Sequence, residues 1–339
     1  MSMATLESAT IGREHLARLR AARDALLGEV RKVIIGQDHV VHSVLASFFA
    51  GGHCLITGVP GLAKTLLIST LGRALHLTFR RIQFTPDLMP SDIIGHEVLE
   101  ESEGRRQLRF VPGPLFSNIV LADEINRTPP KTQAALLEAM QEHQVTCGGQ
   151  TYALEEPFFV LATQNPIEHE GTYPLPLSQQ DRFLFSLVIG YPQKDEEVRI
   201  LASTTSNVVP DVKPVMTGAE LLEAQKIVRA LPLAGSIARY AVRLAAASRP
   251  TDASAPQFVR DYVSLGASLR GPQYLVLAAR ARAAMDGRLA VSVEDIRAVA
   301  PDVLRHRIVV NFKADAEKID SDGIIRRLLD VVPPPQADL

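Results

Sequence analysis

Gly58-Val59-Pro60-Gly61-Leu62-Ala63-Lys64-Thr65 is the stretch that decides the fold of this 339-residue chain. The apolar run 53–57 before it is short enough for a buried strand, and the apolar residues after it recur at the spacing of one helix face. A glycine loop ending in Lys-Thr between a strand and a helix is typical of a phosphate-binding loop, whose backbone N–H groups and lysine contact phosphate oxygens. Thr65 would then offer its hydroxyl to Mg²⁺. One position departs from the usual pattern, because Ala63 stands where a glycine is expected.

The composition excludes several classes of protein. The chain has 36 basic and 38 acidic residues and a net charge of −2, so no strong field attracts DNA or anionic lipid. Cys54 and Cys147 have neither the spacing of metal ligands nor that of a disulfide framework. The segment 1–10 lacks the pattern of a signal peptide, and no apolar run reaches the roughly 18 residues of a transmembrane helix. We therefore expect a cytoplasmic globular protein of about two domains without membrane insertion.

A pair of acidic residues, Asp123-Glu124, follows the second important apolar run, 119–122. Such a run predicts a strand buried on both faces, and ligands of open α/β sheets bind beyond the carboxyl ends of the strands. We predict that Asp123 holds Mg²⁺ through water and that Glu124 polarises the attacking water. The alternative is an acidic turn after a strand. The predicted phosphate-binding loop upstream disfavours this alternative.

Two more polar residues adjoin apolar runs that predict strands. Asn165 follows the run 157–163, where its amide can reach a γ-phosphate or its attacking water. A turn-forming asparagine before a proline explains it equally well. Arg182 precedes the run 183–189 and could simply pair with the neighbouring Asp181.

The order of patterns predicts two domains. Strands alternate with helices up to residue 192, and helical patterns dominate beyond it. We expect an α/β nucleotide-binding domain over 1–192, with inserted hairpins at about 96–111 and 145–154. An α-helical lid domain is expected over 193–332, followed by a tail, 333–339.

These motifs together resemble the MoxR-type AAA+ ATPases, from about Leu16 to Val332. The run from Leu121 to Gln133 closely matches that family's signature, and the loop, the segment 162–166 and Asp181-Arg182-Phe183 match as well. Alanine before the loop lysine is frequent in the family. The resemblance implies an ATP-hydrolysing enzyme with ATP and Mg²⁺ as cofactors. It also implies an AAA+ P-loop core, in which helices cover both faces of a five-stranded parallel sheet of order 5-1-4-3-2, followed by the helical lid.

The resemblance also implies a role for each matching residue. Lys64 would neutralise phosphate oxygens, Asn165 would be the sensor-1 residue, and Arg182 would be an arginine finger offered to the ATP of a neighbouring subunit. Nucleotide would be bound by Ile35, Gly36 and Gln37, which would line the adenine pocket, and by Gly58, Val59, Pro60, Gly61, Leu62, Ala63, Lys64, Thr65 and Leu66.

Arg270 in the segment 266–270 resembles the sensor-2 arginine of the lid, which contacts the γ-phosphate of its own subunit. The usual motif has a proline where Leu269 stands, and Pro272 follows here instead. If Ser268 caps the helix, Pro272 falls in the first turn, where a missing N–H costs least.

The resemblance further implies a homo-oligomer, expected to be a hexameric ring, that remodels or matures protein complexes in a chaperone-like way. Metal-cofactor insertion and a partner with a von Willebrand factor A domain are part of this expectation, and the client stays open. The two hairpins match the family's helix-2 and pre-sensor-1 insertions, which point toward the ring axis.

Three alternatives remain open. A magnesium-chelatase-type motor subunit belongs to the same clade. A nucleic-acid motor would need basic hairpin tips, whereas segment 101–106 has mixed charge and segment 147–150 has none. A small-molecule kinase is disfavoured by the acidic pair combined with Asn165, Arg182 and a helical lid.

Overall fold

The computed structural model of the protein describes residues 12–59, 61–102, 105–165, 172–207 and 210–335. The chain forms two compact units. The first comprises Ala25–Leu221 and is called the α/β unit here. The second comprises the chain up to Asp24 together with the chain from Leu222 onward, and is called the helical unit.

The described residues form fourteen α-helices and eleven β-strands. The helices are α1 Arg13–Val30, α2 Asp38–Ala50, α3 Lys64–Ala74, α4 Pro90–Ile94, α5 Pro130–Glu142, α6 Leu177–Gln180, α7 Lys194–Thr204, α8 Gly218–Ala230, α9 Gly235–Ala247, α10 Gln257–Tyr262, α11 Arg270–Met285, α12 Val293–Leu304, α13 Phe312–Ala316 and α14 Ser321–Val331. The strands are β1 Cys54–Thr57, β2 Phe79–Gln83, β3 Gly95–Ser102, β4 Arg105–Pro112, β5 Ile119–Asp123, β6 Gln144–Cys147, β7 Gln150–Ala153, β8 Phe159–Gln164, β9 Phe185–Val188, β10 Val263–Leu265 and β11 Val309–Val310.

A five-stranded parallel sheet of order β2-β5-β8-β1-β9 forms the centre of the α/β unit. Numbered along the chain without the hairpin strands and read from β9, this order is 5-1-4-3-2, so the predicted fold is confirmed. The three inner strands are almost entirely buried, because each is an apolar run without alternation. All five strands point the same way, and the segments that follow β1, β5 and β8 therefore leave the sheet at one edge.

Two antiparallel hairpins belong to the α/β unit. In the first, β3 pairs with β4, and in the second, β6 pairs with β7. Gly148 and Gly149 connect β6 to β7 with φ values of 56° and 80°, a backbone conformation that glycine adopts without strain. Phe110 of the first hairpin stacks on Tyr152 of the second with ring centroids 4.1 Å apart. The two hairpins therefore support each other.

The α/β unit continues past the predicted boundary at residue 192. The Val215 N–H donates to the Ala74 carbonyl at 2.7 Å, at the end of α3. The Lys213 N–H donates to Glu29 Oε2 at 2.9 Å. These contacts hold the segment before α8 on the same compact body as the sheet.

The helical unit is built on tightly packed helices. α11 is rich in buried alanines, which let α9 and α12 approach it closely. Tyr240 of α9 is fully buried, and Arg297 of α12 donates to its hydroxyl at 3.3 Å and to the Leu329 carbonyl at 2.6 Å. Throughout the ranges that the structure describes, no helix combines the length and the apolar character needed to cross a membrane.

Candidate active site

The loop between β1 and α3 has a backbone that glycine makes possible. Gly61 has φ 85°, and among the described residues no atom beyond its chain neighbours lies within 4 Å of the place where its Cβ would be, so this point of the loop borders open space. A Cβ on Gly58 would lie 2.8 Å from the Ile189 carbonyl, so only glycine fits against the chain that leaves β9. Pro60 lies outside the described residues. The N–H groups in the first turn of α3 have no partner within their own helix and can donate to an anion.

Ala63 lies directly before α3 with φ 56°, in the left-handed region. The sequence departs from the glycine pattern at a position whose backbone conformation glycine favours. The alanine therefore keeps the loop geometry but carries steric strain of about 1–2 kcal/mol.

Lys64 directs its ammonium back onto the loop. Its Nζ donates to the Gly58 carbonyl at 2.6 Å and to the Val59 carbonyl at 3.3 Å. Burial lowers the pKa of the Lys64 ammonium, and the negative charges of Asp123 and Glu124 act in the opposite direction. Lys64 is therefore electrostatically coupled to both acidic residues, although about 60 positions separate them in the sequence.

Asp123 is the last residue of β5, and hydrogen bonds hold both of its oxygens. Thr163 of the adjacent strand β8 donates from its hydroxyl to Oδ1 at 2.6 Å. Arg81 of the other neighbour, β2, donates to Oδ2 from Nε at 3.0 Å and from Nη2 at 2.6 Å. The Thr163 hydroxyl also accepts the Glu124 N–H at 2.9 Å, so one side chain fixes the start of the loop after β5.

Glu124 has φ 58°, and this left-handed residue turns the chain out of the strand. Its Oε2 accepts a hydrogen bond from Gln83 Nε2 at 2.7 Å and lies 3.2 Å from Nη1 of Arg127. Arg81 in turn donates from Nη2 to Gln83 Oε1 at 2.6 Å. Gln83 and Arg127 therefore hold the Glu124 carboxylate in place.

The sequence did not single out four residues of this network: Arg81, Gln83, Arg127 and Thr163. The available signal was the pairing of Gln83 with Asp123 in the register of β2 and β5. The predicted strand order makes β2 and β5 neighbours, but the pairing can be read only once their register is known.

The oxygen donors at this edge suit a hard cation. Asp123 contributes a carboxylate, and Thr65, the second residue of α3, contributes a hydroxyl. Arg81 already donates to Asp123 Oδ2, so a cation here would be held by Asp123 through water. The donor set therefore fits Mg²⁺.

Asn165 and Arg182 follow the ends of two other elements of the α/β unit. Asn165 comes directly after β8 and is buried. Arg182 follows α6, and its Nη1 donates to the Leu137 carbonyl of α5 at 3.0 Å. Its side chain lines a cavity of about 210 Å³ together with Gln179 of α6 and with Glu138 and other residues of α5.

The segment Ile35-Gly36-Gln37 lies against the chain that follows β9. Gly36 and Gln37 both have positive φ, 71° and 57°. Gln37 donates from Nε2 to the Gly190 carbonyl at 2.8 Å, and a Cβ on Gly36 would lie 2.6 Å from a carboxylate oxygen of Glu196. These contacts place the segment beside the strand that neighbours β1.

Arg270 belongs to the helical unit and is the first residue of α11. The N-cap residue is Leu269, one position later than the Ser268 cap considered above. The Ser268 hydroxyl instead accepts the Arg270 N–H at 3.1 Å. Pro272 is the third helical residue, where an N–H would have no partner within the helix. The proline is therefore accommodated, and the sensor-2 role of Arg270 stays a prediction.

Comparison with known proteins identifies relatives over almost the whole chain. Residues 53–185 match the model of the ATPase family associated with various cellular activities (AAA), and residues 257–328 match the AAA lid domain. The chain is 42% identical to the chaperone MoxR1 of Mycobacterium tuberculosis, an alignment that covers 96% of this chain and 86% of that protein. It is 33% identical to the protein MoxR of Methylorubrum extorquens, with 91% and 93% covered.

A solved structure is similar as well. The crystal structure of a putative ATPase from Cytophaga hutchinsonii superposes with a TM-score of 0.88 at 40% sequence identity, over 95% of this chain and 98% of that one. The two matched segments named above fall one in each compact unit.

Proposed function

The chain belongs to the MoxR-type AAA+ ATPases, and on that premise we propose that it couples ATP hydrolysis to the remodelling or maturation of partner protein complexes. The proposed working form is a homo-oligomeric ring, expected to be a hexamer, with ATP hydrolysed between subunits. Metal-cofactor insertion and a partner with a von Willebrand factor A domain remain part of this proposal.

The observation that carries the proposal is that Lys64, in the segment after β1, and Asp123 and Glu124, at the end of β5, lie at the same edge of the parallel sheet. The loop 58–66 would bind the phosphates through backbone N–H groups and Lys64. Mg²⁺ held by Thr65 and Asp123 would supply charge neutralisation at the phosphate oxygens. Glu124 would then align and polarise the attacking water, with Asn165 close to the γ-phosphate.

The role of Glu124 is tested by removing its charge while keeping its shape. Glu124→Gln should bind ATP with an affinity close to that of the wild type but lose about 10²-fold or more in turnover, because an amide cannot accept the proton of the water. Equilibrium binding of a fluorescent ATP analogue and phosphate release measure the two effects.

The matched control is Glu223→Gln, at an exposed carboxylate that pairs only with the exposed Lys226 in the described contacts. It should hydrolyse ATP at the wild-type rate. Steady-state hydrolysis by Glu124→Gln at the rate of this control would reject the assignment of Glu124.

The first hairpin favours a protein client over a nucleic acid. Leu99 and Leu108 pair across the two strands and are 61% and 67% exposed. Arg109 lies 3.3 Å from Glu100, and Arg106 lies 3.7 Å from Glu101, so neighbouring carboxylates offset these positive charges. Apolar side chains with locally balanced charge suit contact with protein, whereas phosphate contacts need uncompensated cations.

The client hypothesis is tested with the Glu124→Gln form held in ATP. Its partners would be captured from a host extract and identified, and Leu99→Ser/Leu108→Ser in the same background would serve as the control. We expect the double substitution to abolish capture of the client while ATP binding persists. If capture is unaffected and the purified protein binds single- or double-stranded DNA in a salt-dependent way, the client is a nucleic acid and not a protein.

A further inference from the structure

Two hydrogen bonds tie the segment 172–176, called the pre-α6 segment here, to the residues around it. The Tyr173 N–H donates to the Asn126 carbonyl at 2.6 Å, in the loop that follows β5. The Tyr173 carbonyl accepts a hydrogen bond from Nε2 of Gln133, on α5, at 3.0 Å. Both backbone polar groups of Tyr173 are therefore held, although the residue itself is 43% exposed.

Gln133 is fully buried and bonds to more than the pre-α6 segment. Its Nε2 also donates to the Ile125 carbonyl at 3.0 Å and to the Thr128 carbonyl at 3.2 Å. Three carbonyls thus share the two hydrogens of one amide. The amide has a single favourable orientation, because turning it would place its oxygen against carbonyl oxygens. Gln133 is therefore a clamp between the loop 125–128 and the pre-α6 segment.

The stretch between this clamp and Arg182 is short and stiff. Pro174 and Pro176 restrict its backbone, and α6 is a single helical turn. Gln180 donates from Nε2 to the Leu175 carbonyl at 2.8 Å, which ties α6 back to the pre-α6 segment. A displacement at the clamp is therefore passed on to the backbone of Arg182.

α5 holds both ends of this stretch. Gln133 and Leu137 are four positions apart and lie on one face of the helix. Gln133 holds the start of the stretch, and the Leu137 carbonyl accepts the hydrogen bond of Arg182 Nη1 at its end. The cavity beside Arg182 leaves room for the guanidinium to turn, so its direction of approach depends on where its backbone is fixed.

We propose that Gln133 is a positioning residue for the arginine that this chain offers to the neighbouring subunit. The inference rests on the proposed function, in which Arg182 acts on the ATP of the next chain. By fixing the stretch that carries Arg182 relative to the loop that leaves β5, Gln133 sets where the guanidinium reaches out of its own chain.

Glu124 of the same chain does not depend on the clamp. Gln83 and Arg127 hold its carboxylate, and the Thr163 hydroxyl accepts its N–H. The turn that follows is closed by a hydrogen bond from the Arg127 N–H to the Glu124 carbonyl at 2.9 Å. Loss of Gln133 should therefore act on the site of the neighbour and not on the site of its own chain.

The test places one substitution in either of the two chains of a mixed ring. Glu124→Gln supplies an intact Arg182, and Arg182→Ala supplies an intact Glu124. Turnover in their mixture arises where Glu124 of one chain meets Arg182 of the other. Gln133→Met removes the clamp at similar side-chain volume and is added to one of the two chains at a time.

Gln133→Met in the chain that supplies Arg182 should lower the recovered turnover about 10-fold or more, because a misplacement of about 1 Å can cost about 10²-fold in rate. The same substitution in the chain that supplies Glu124 should leave the recovered turnover within about 3-fold of the parent mixture, a smaller effect than that misplacement. Phosphate release after subunit exchange measures both mixtures. A loss of packing alone would lower turnover from either chain.

The matched control is Thr132→Val, at the residue before Gln133. Thr132 is buried, and its hydroxyl donates to the Leu88 carbonyl at 2.8 Å. The substitution removes one buried hydrogen bond of α5 without touching the clamp. It should leave the recovered turnover within about 2-fold of the parent mixture in either chain, well inside the effect of a misplaced group.

Pro174→Gly/Pro176→Gly tests the same connection without a buried substitution. Both prolines are exposed, and glycine makes the stretch between the clamp and Arg182 flexible. Turnover should again fall only when the chain that supplies Arg182 carries the change. This variant decides the question if Gln133→Met fails to fold by circular dichroism.

Three results would overturn the inference: an equal loss from either chain, a loss only from the chain that supplies Glu124, or no loss from either. A loss with Thr132→Val equal to that with Gln133→Met would overturn it as well. Failure of the proposed function looks different, because the parent mixture of Glu124→Gln and Arg182→Ala would then stay inactive. The inference would fall together with the role of Arg182 in that case.

Discussion

At the scale of single residues, the candidate site uses left-handed backbone at positions that are not glycine. Ala63 has φ 56° and precedes α3, and Glu124 has φ 58° and follows β5. Alanine has no polar side chain that could offset the strain by a local hydrogen bond, whereas the Glu124 N–H is held by Thr163. Strained residues of this kind persist where the surrounding structure fixes them, and both lie where the nucleotide phosphates are expected.

The strain at Ala63 can be measured. Ala63→Gly should stabilise the α/β unit by about 0.5–1 kcal/mol, because relief of the left-handed strain exceeds the larger chain entropy that glycine has in the unfolded state. The midpoint of urea unfolding, followed by circular dichroism, reports the change.

The same substitution at Ala134 is the control, since this exposed alanine lies inside the right-handed helix α5. Ala134→Gly should cost about 1 kcal/mol. A loss of stability in both variants would show that Ala63 is not strained.

At the scale of elements, one buried histidine connects three parts of the α/β unit. His53 directly precedes β1, and its Nδ1 accepts the Val160 N–H of β8 at 3.1 Å. Its Nε2 lies 3.1 Å from the Met140 carbonyl near the end of α5 and donates to it. Burial lowers the pKa of His53 to about 4, and the electrostatic effect of the nearby His143 acts in the same direction. The neutral ring therefore fixes the start of β1 between its neighbours.

A pH dependence follows from the lowered pKa of His53. The unfolded chain takes up this proton near pH 6.5, whereas the folded protein resists it down to about pH 4. Between these values the unfolded state binds more protons, so stability falls as the pH falls. His53 should account for a loss of about 2 kcal/mol in the free energy of unfolding between pH 7.5 and 5.

The measurement is urea unfolding at both pH values for the wild type and for His53→Asn. The variant should be less stable at pH 7.5, because it loses part of the hydrogen bonding, but its stability should fall less toward pH 5. Parallel pH profiles for the two proteins would show that His53 titrates alike in the folded and the unfolded state.

At the scale of the whole molecule, the proposed function makes hydrolysis a property of the assembly. Arg182 donates to the Leu137 carbonyl of α5 and lines a cavity on the α/β unit, next to Glu138. If this arginine acts on the ATP of the neighbouring subunit, each site needs Glu124 from one chain and Arg182 from another. An arginine supplied in this way contributes about 10³–10⁵ in rate in well-studied NTPases.

Mixing two inactive variants tests the proposal directly. Arg182→Ala and Glu124→Gln should each bind ATP but turn over at least about 10²-fold slower than the wild type. In equal mixture, exchanged rings should recover about a quarter of wild-type turnover, since about half of the sites keep Glu124 and half of those receive an intact Arg182. Phosphate release after subunit exchange measures this.

Recovery of turnover in the mixture distinguishes an arginine that acts on the neighbouring subunit from one that acts on its own subunit. If Arg182 serves its own subunit, every site in the mixed ring lacks one of the two groups, and the mixture should stay as inactive as its components. Wild-type turnover by Arg182→Ala alone, in a verified oligomer, would remove the arginine from catalysis altogether.

The sequence by itself determined those features that depend on residues close together along the chain. The strand, glycine loop and helix around Lys64, and the acidic pair at the end of β5, are local patterns, and their structures follow from burial and helix geometry. The resemblance of the motifs supplied the strand order 5-1-4-3-2, which the sheet has. The roles of Arg182 and Arg270 came from the same resemblance and stay predictions.

Only the tertiary structure decided which side chains meet at the candidate site. Arg81 and Asp123 are 42 positions apart, and Asp123 and Thr163 are 40 apart, yet each pair forms hydrogen bonds. Such contacts depend on which strands are neighbours and on their register, and no local propensity encodes either. The glycine loop between β1 and α3 could therefore be located from the sequence, whereas the residues that hold Asp123 and Glu124 in place appeared only when β2, β5 and β8 lay side by side in register.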